Sequence, residues 1–300
     1  MNKRNAVIMA AGTASRFVPL STECPKGLLE VKGEILIERQ ICQLKEAGID
    51  DITIVVGYKA EMFEYLKPKY GVDIVFNDDY NRYNNTSSII RVLDKLSDTY
   101  ICSSDNYFSK NVFLENPSQS YYSALYADGT TNEYCLTLDE NDHITEVKVG
   151  GTNSWYMVGH VYFTKDFSME FSKILTTEYK KEETRQGYWE DVYIRYIQQL
   201  PLMKIHRYKA HEIEEFDSID ELRMFDDSYI YNTRSSFIKS IAFTLGCSEK
   251  ELTSFKRLMH EKDYLLFTFL KGDETYLYNE RENSIERYEN GSYFNSKGRT

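Results

Sequence analysis

Short apolar runs alternate with helically spaced apolar residues through the first hundred positions of the chain. The run AVIM at 6–9 predicts a buried strand, and the small residues at 10–15 predict a tight loop after it. Residues 35–47 carry Ile37, Ile41, Leu44 and Ala47 at helical spacing, with Gly48 as a stop. Strands are predicted at 51–56, 72–76 and 99–103, with helices at 60–66 and 87–96 between them. That alternation predicts a parallel sheet with crossover helices.

From Tyr121 the texture changes. Strands are predicted near 121–127, 133–138, 144–149 and 155–163, separated by short polar breaks. Helices follow at 167–179 and 189–199, strands at 203–208 and 211–216, and a helix from Ser218. The expectation is an α/β fold with a mostly parallel mixed sheet flanked by helices, its later strands forming the second half of a cleft. A boundary at 226–231 divides a main domain, 1–227, from a small α+β extension, 228–300. The extension reads as a helix at 237–245, a Gly-Cys-Ser cap into another helix, strands at 264–270 and 274–278, and a polar, frayed end at 290–300.

Charge narrows the partners. A net charge of −11 and a pI near 5.1 argue against a broad nucleic-acid or anionic-membrane footprint. Phosphates must then be held locally. Cys24, Cys42, Cys102, Cys135 and Cys247 show no metal-binding spacing and read as buried thiols in a reducing compartment. With no apolar stretch of membrane-spanning length and no signal-peptide pattern, a cytoplasmic location is expected.

The most informative stretch is 9–29, MAAGTASRFVPLSTECPKGLL. Ala10, Ala11, Gly12, Thr13, Ala14 and Ser15 let backbone N–H groups approach phosphate oxygens, which bulkier side chains would block. Arg16 supplies a planar fork of donors, and Lys26, after Pro25, a mobile point charge. Asp105 follows the strand at 99–103, at the edge where ligands of parallel sheets bind. Glu215 and Asp217 form an E-x-D pair whose carboxylates share a face if both lie in one strand. Alternatively, Asp217 or Ser218 caps the following helix.

The loop resembles the signature of the nucleotidyltransferases, usually A-A-G-x-G-x-R with P-K about ten residues on; Ala14 stands where glycine is usual. The match sharpens toward bacterial CTP:phosphocholine cytidylyltransferases through KGLLEVKGEILIERQ (26–40), GIDDITIVVGY (48–58), YGVDIVFNDDYNRYNNTSS (70–88), YICSSDNY (100–107), TNEY (131–134) and EEFDS (214–218). Tyr134 stands where that family is expected to carry tryptophan. The resemblance implies a Rossmann-like nucleotidyltransferase fold and transfer of CMP from CTP to phosphocholine, giving CDP-choline and pyrophosphate. It implies that the Gly12 loop and Arg16 hold the triphosphate and that Lys26 bridges the reacting phosphates. Asn84, Asn85 and Ser88 would contact base and ribose, and Asp105, Glu215 and Asp217 would hold Mg²⁺.

A trimethylammonium group suits aromatic faces. The two tryptophans sit beside tyrosines, in Trp155-Tyr156 and Tyr188-Trp189; Tyr134 lies in the same half, with Glu133, Glu190 or Asp191 to add the countercharge. Phosphoethanolamine, 2-aminoethylphosphonate or a sugar 1-phosphate are alternative acceptors, and a silent nucleotide-binding regulator is the alternative of another class. Quaternary state is left open up to a homodimer. Residues 231–278 resemble the opening of a choline kinase, without its H-x-D or D-F-G-like motifs, so no kinase activity is expected.

Overall fold

The run at 6–9 is the core of strand β1 (Asn5–Ala10), buried at every position but Met9. The computed structural model describes residues 3–258 and 264–288, so the expected frayed end at 290–300 lies outside the described residues. Contacts divide the chain into two units, Met1–Gly12 with Glu34–Glu215, and Thr13–Gly33 with Phe216–Thr300.

In the first unit β1 is followed by β2 (Ile52–Val56), β3 (Asp73–Phe76), β4 (Thr99–Ser103), β5 (Asn106–Phe108), β6 (Tyr121–Leu138), β7 (Ile144–Phe163), β8 (Lys204–Arg207) and β9 (Ile213–Glu215). Seven of them form one sheet in the order β8-β6-β7-β4-β1-β2-β3, and β9 pairs with β5. The β1–β2, β1–β4, β2–β3 and β6–β8 pairings are parallel, while β7 runs antiparallel to β4 and β6. Central parallel strands are covered on both faces, which is why β1 and β2 read as unbroken apolar runs. Met9 stands opposite Ser103, so the residues after β1 and β4 leave the sheet at one edge.

The strands expected at 121–127 and 133–138 are one strand, as are those at 144–149 and 155–163. Their polar breaks are shifts of pairing register, at Ala127/Thr130 and Thr131/Tyr134, rather than turns. Bulges of this kind bend a hairpin and re-aim its side chains. The hairpin tip returns to the sheet, where the Ile144 N–H donates to the Met203 carbonyl. Helices Lys165–Glu178 and Trp189–Tyr196 cover a core built on Phe163, Phe167, Phe171, Trp189 and Tyr193. The helix expected at 87–96 splits into Thr86–Ile89 and a 3₁₀ segment Ile90–Lys95, with Val92 outside helical geometry.

In the second unit, helix Ile219–Phe225 is capped by the Ser218 side chain, and helix Ser236–Leu245 ends at Gly246, whose φ of 61° suits glycine. The second helix expected after the Gly-Cys-Ser cap is only a 3₁₀ turn, Glu249–Glu251. The alternating sequence LTSFKR then enters β10 (Leu252–Arg257). Strands β11 (Leu266–Lys271), β12 (Glu274–Asn279) and β13 (Ser284–Arg287) continue an antiparallel sheet in chain order.

Residues 228–300 fall in this unit together with 13–33 and 216–227. The Tyr229 hydroxyl and the Arg234 guanidinium donate to the Glu30 carbonyl at 2.8 and 2.7 Å, and the Ser236 N–H donates to the Glu23 carboxylate at 2.7 Å. The extension therefore ties down the segment that carries Pro25 and Lys26. Among the described residues no helix is long and apolar enough to cross a membrane. None of the five cysteines is in a disulfide; Cys102 and Cys135 are buried as expected, whereas Cys42 is exposed and Cys24 and Cys247 are half-buried.

Candidate functional site

The expected residues are divided between the two units. In the first, Ala10 and Ala11 are buried at the carboxyl end of β1, and Gly12 is exposed with open space where a Cβ would stand. Gly57 closes up behind them: a Cβ there would lie 2.5 Å from Tyr80 Cβ and 3.0 Å from Ala11 Cβ, so only glycine admits this approach.

Asp105 sits in the two-residue corner between β4 and β5. The Ser104 N–H donates to the Met9 carbonyl at 3.1 Å, tying this corner to β1. Strand β5 pairs with β9 so that Asn106 stands opposite Glu215, and the Asn106 amide lies 3.5 Å from a Glu215 carboxylate oxygen. Pairing across the chain thus brings Glu215 to the residue next to Asp105. Asn106 is fully buried, and among the described residues its Oδ1 has no hydrogen-bond partner.

The nucleotide and acceptor expectations meet on one cluster. The Asn85 side chain donates to Glu190 at 3.2 Å and accepts from the Trp189 N–H at 2.8 Å. The Tyr122 hydroxyl donates to the other Glu190 oxygen at 3.3 Å. Burial pushes the Glu190 carboxyl up to about 7, against the hydrogen bonds from Asn85 and Tyr122 that favour the carboxylate. Asp191 accepts from the Tyr134 hydroxyl at 2.9 Å and from the Tyr188 N–H at 2.8 Å. Glu133 is exposed at the register shift before Tyr134, and Tyr156 is half-buried with the charges of Glu133, Glu215 and Glu214 acting on it.

Other expected residues are placed differently. Trp189 is 3% exposed, its ring stacked on Tyr122 and edge-on to Phe163 and Phe171, so it belongs to the core. Trp155 carries the Arg207 guanidinium 5.3 Å from its ring centroid and meets Tyr126 edge-to-face, so one of its faces already holds a cation. Ser88 is buried and accepts from Asn77 at 3.0 Å; that bond anchors the loop, which Asn84 closes by accepting from the Asn85 N–H.

In the second unit Thr13 and Ser15 are exposed, and Ala14 adopts the left-handed conformation with φ 45° and ψ 48°. This explains the usual glycine at that position. A left-handed alanine costs roughly 1–2 kcal/mol, partly offset by the larger unfolded-state entropy of glycine. Ala14→Gly is therefore expected to raise the melting temperature by roughly 1–3 °C; a fall on calorimetry would contradict this account.

Arg16 donates to Asp217 at 2.7 Å, and the Lys26 ammonium lies 3.8 Å from the other Asp217 oxygen. Lys26 is nearly buried, with the Phe17 ring 5.8 Å away. The shared strand face expected for Glu215 and Asp217 is not formed, because β9 ends at Glu215. Asp217 instead pairs with the two cations of its own unit.

Among the described residues no group of three His, Cys, Asp or Glu side chains is placed to hold a metal ion. Of the expected trio, Asp105 and Glu215 stand at one corner of the first unit, and Asp217 belongs to the second. Mg²⁺ usually takes one or two carboxylates, with phosphate oxygens and water completing its shell. Asp105 and Glu215, beside the unpartnered Asn106 oxygen, fit that donor chemistry. Gln40 and Gln43 were not among the expected residues: both are buried on helix Leu36–Glu46, the Gln40 amide donating to the backbone on either side of this corner and the Gln43 amide to the end of β5.

The family model described as a MobA-like NTP transferase domain matches residues 6–127. The chain is 38% identical over 237 residues to a 2-aminoethylphosphonate cytidylyltransferase of Lancefieldella rimae, covering 78% of this chain and 96% of that one. It is 33% identical over 222 residues to a choline-phosphate cytidylyltransferase of Streptococcus pneumoniae, covering 74% and 96%. The solved structure of the CTP:phosphocholine cytidylyltransferase from Streptococcus pneumoniae matches with a TM-score of 0.72 at 33% identity, over 75% of this chain and 99% of that one. The α/β nucleotidyltransferase fold expected from the sequence is the fold found.

Proposed function

We propose, from the premise that this chain belongs to the cytidylyltransferases, that it transfers CMP from CTP to 2-aminoethylphosphonate or a closely similar cationic head group. An acceptor phosphonate oxygen forms the new bond to the α-phosphorus. The bond from that phosphorus to the oxygen bridging to the β-phosphate breaks, and its electron pair leaves with pyrophosphate. The Gly12 loop and Arg16 hold the triphosphate, and Lys26 stabilises charge at the α-phosphate. Asp105 and Glu215 would hold Mg²⁺, which when bound supplies countercharge to the phosphate oxygens. The observation that carries the reading is the pairing of β5 with β9, which sets Glu215 beside the Asp105 corner at the edge where β1 ends.

What surrounds Glu190 supports this choice of acceptor. A primary ammonium needs hydrogen-bond acceptors when it leaves water, and Glu190 and Asp191 offer carboxylate oxygens. A trimethylammonium needs open ring faces, yet Trp189 is in the core and one face of Trp155 is covered by Arg207. The L. rimae relative is named for 2-aminoethylphosphonate, in agreement with this preference. Phosphocholine is the second reading, favoured by the exposed Tyr188 ring and the half-buried rings of Tyr134 and Tyr156. Pyrophosphate release from CTP with 2-aminoethylphosphonate, phosphoethanolamine, phosphocholine and a sugar 1-phosphate tests both. Higher kcat/KM for phosphocholine would overturn the preference, and no release with any acceptor would overturn the activity.

Glu190 adds a pH signature. Its raised pKa means the ionised form that attracts an ammonium fills only as pH rises through about 7. Below that pH the acceptor KM should climb toward roughly tenfold per unit, with the KM for CTP much flatter. Ionisation of the acceptor itself is common to parent and Glu190→Gln, so the ratio of their acceptor KM values isolates Glu190. A pH-independent ratio would remove Glu190 from acceptor binding. Stability has the matching sign: the contribution of this carboxyl is present below about 4.5 and lost as pH rises through about 7. Glu190→Gln should therefore melt higher than the parent at pH 8 and alike at pH 4.

A further inference from the structure

We infer that Gln40 is a positioning residue that fixes the Asp105 carboxylate for the divalent cation; this rests on the metal role proposed for Asp105. Gln40 lies in the middle of helix Leu36–Glu46 and is completely buried. Its amide nitrogen donates to the Ser103 carbonyl at 2.8 Å and to the Asn106 carbonyl at 3.0 Å. Those two carbonyls flank the Ser104-Asp105 corner, one on each side. A single side chain therefore spans the turn that aims the carboxylate.

Neighbouring donors on the same helix hold the end of β5. Gln43 donates to the Phe108 carbonyl at 3.1 Å, and Arg39 donates to the Phe108 and Ser109 carbonyls at 2.8 and 3.2 Å. Of these three side chains, only Gln40 bonds the residues on either side of the Ser104-Asp105 corner. Its own carbonyl oxygen is buried with no partner among the described residues. An unpaired buried acceptor is costly, and methionine or leucine at this position would avoid the cost entirely. What the glutamine supplies in return is its pair of donated bonds to the corner.

Mg²⁺ demands near-ideal octahedral geometry, so a carboxylate that wanders binds it poorly. Groups that orient a metal ligand typically account for about 10–100-fold in metal affinity. Gln40→Met removes both donors at nearly constant volume, and Gln43→Met is the matched control that removes a buried donor of the same helix further from Asp105. Binding of Mn²⁺ at saturating CTP, read by electron paramagnetic resonance of the unbound ion, is measured for both variants, Asp105→Asn and the parent.

Gln40→Met is expected to weaken Mn²⁺ binding about tenfold or more, with Gln43→Met within about twofold of the parent. Equal affinities for the two glutamine variants would overturn the role of Gln40 while leaving that of Asp105 intact. Parent-like binding by Asp105→Asn would overturn the metal role of Asp105 and that of Gln40 with it. If Gln40→Met does not fold by circular dichroism, Gln40→Asn is read the same way, since its shorter amide cannot span both carbonyls.

Discussion

Lys26→Ala is expected to lower kcat by roughly two to three orders of magnitude while changing the KM for CTP far less, the scale of losing one preorganised group at a developing charge. Lys26 is 9% exposed, packed by Phe17 and 3.8 Å from Asp217. A cation in such surroundings is screened less than one in open water, and its field acts most strongly where charge grows during reaction. The loss therefore falls on the transition state and appears in kcat. Arg16 is the contrast: its side chain is 76% exposed and ion-paired with Asp217. Arg16→Ala should raise the KM for CTP more than it lowers kcat. Steady-state kinetics on both variants decides the assignment; an unchanged kcat in Lys26→Ala, with only a raised KM, would make Lys26 a ground-state binder.

How much was legible in the sequence depends on whether an element is decided locally. Strand β1, strand β2 and helix Leu36–Glu46 are read directly, because continuous burial and helical spacing leave marks in the residues themselves. The long β6–β7 hairpin is not, since Thr131/Tyr134 is a break or a bulge according to what the partner strand does. For the same reason the E-x-D argument fails at Asp217: two residues share a face only while the strand continues, and β9 ends one residue after Glu214.

Side-chain direction was the other illegible quantity. Tyr188 and Trp189 are adjacent in sequence, yet Tyr188 is 47% exposed at the N-cap while Trp189 opens the helix and turns into the core. Gln40 and Gln43, by contrast, were readable. They fall among Ile37, Ile41 and Leu44 at helical spacing, so two carboxamides stood on the apolar face of a predicted helix, where a polar group needs a reason.

Asp105→Asn is expected to remove turnover by roughly a thousandfold or more, the order of the several kcal/mol that a metal's countercharge gives to phosphoryl chemistry. Asparagine keeps the volume and one oxygen but loses the charge. The fold should persist, because the corner is held by the two bonds of the Gln40 amide and by the Ser104 N–H, and none of these three involves the Asp105 side chain. Glu215→Gln should cost less, since the neutral amide can still meet Asn106 across the β5–β9 pair. Pyrophosphate release is followed over a Mg²⁺ titration, with melting curves as the check on folding. Treating the parent with a chelator should bring it down to the level of Asp105→Asn, and added Mg²⁺ should rescue the parent alone. A variant that responds to Mg²⁺ at the same concentrations and to the same rate as the parent would take Asp105 out of the metal site.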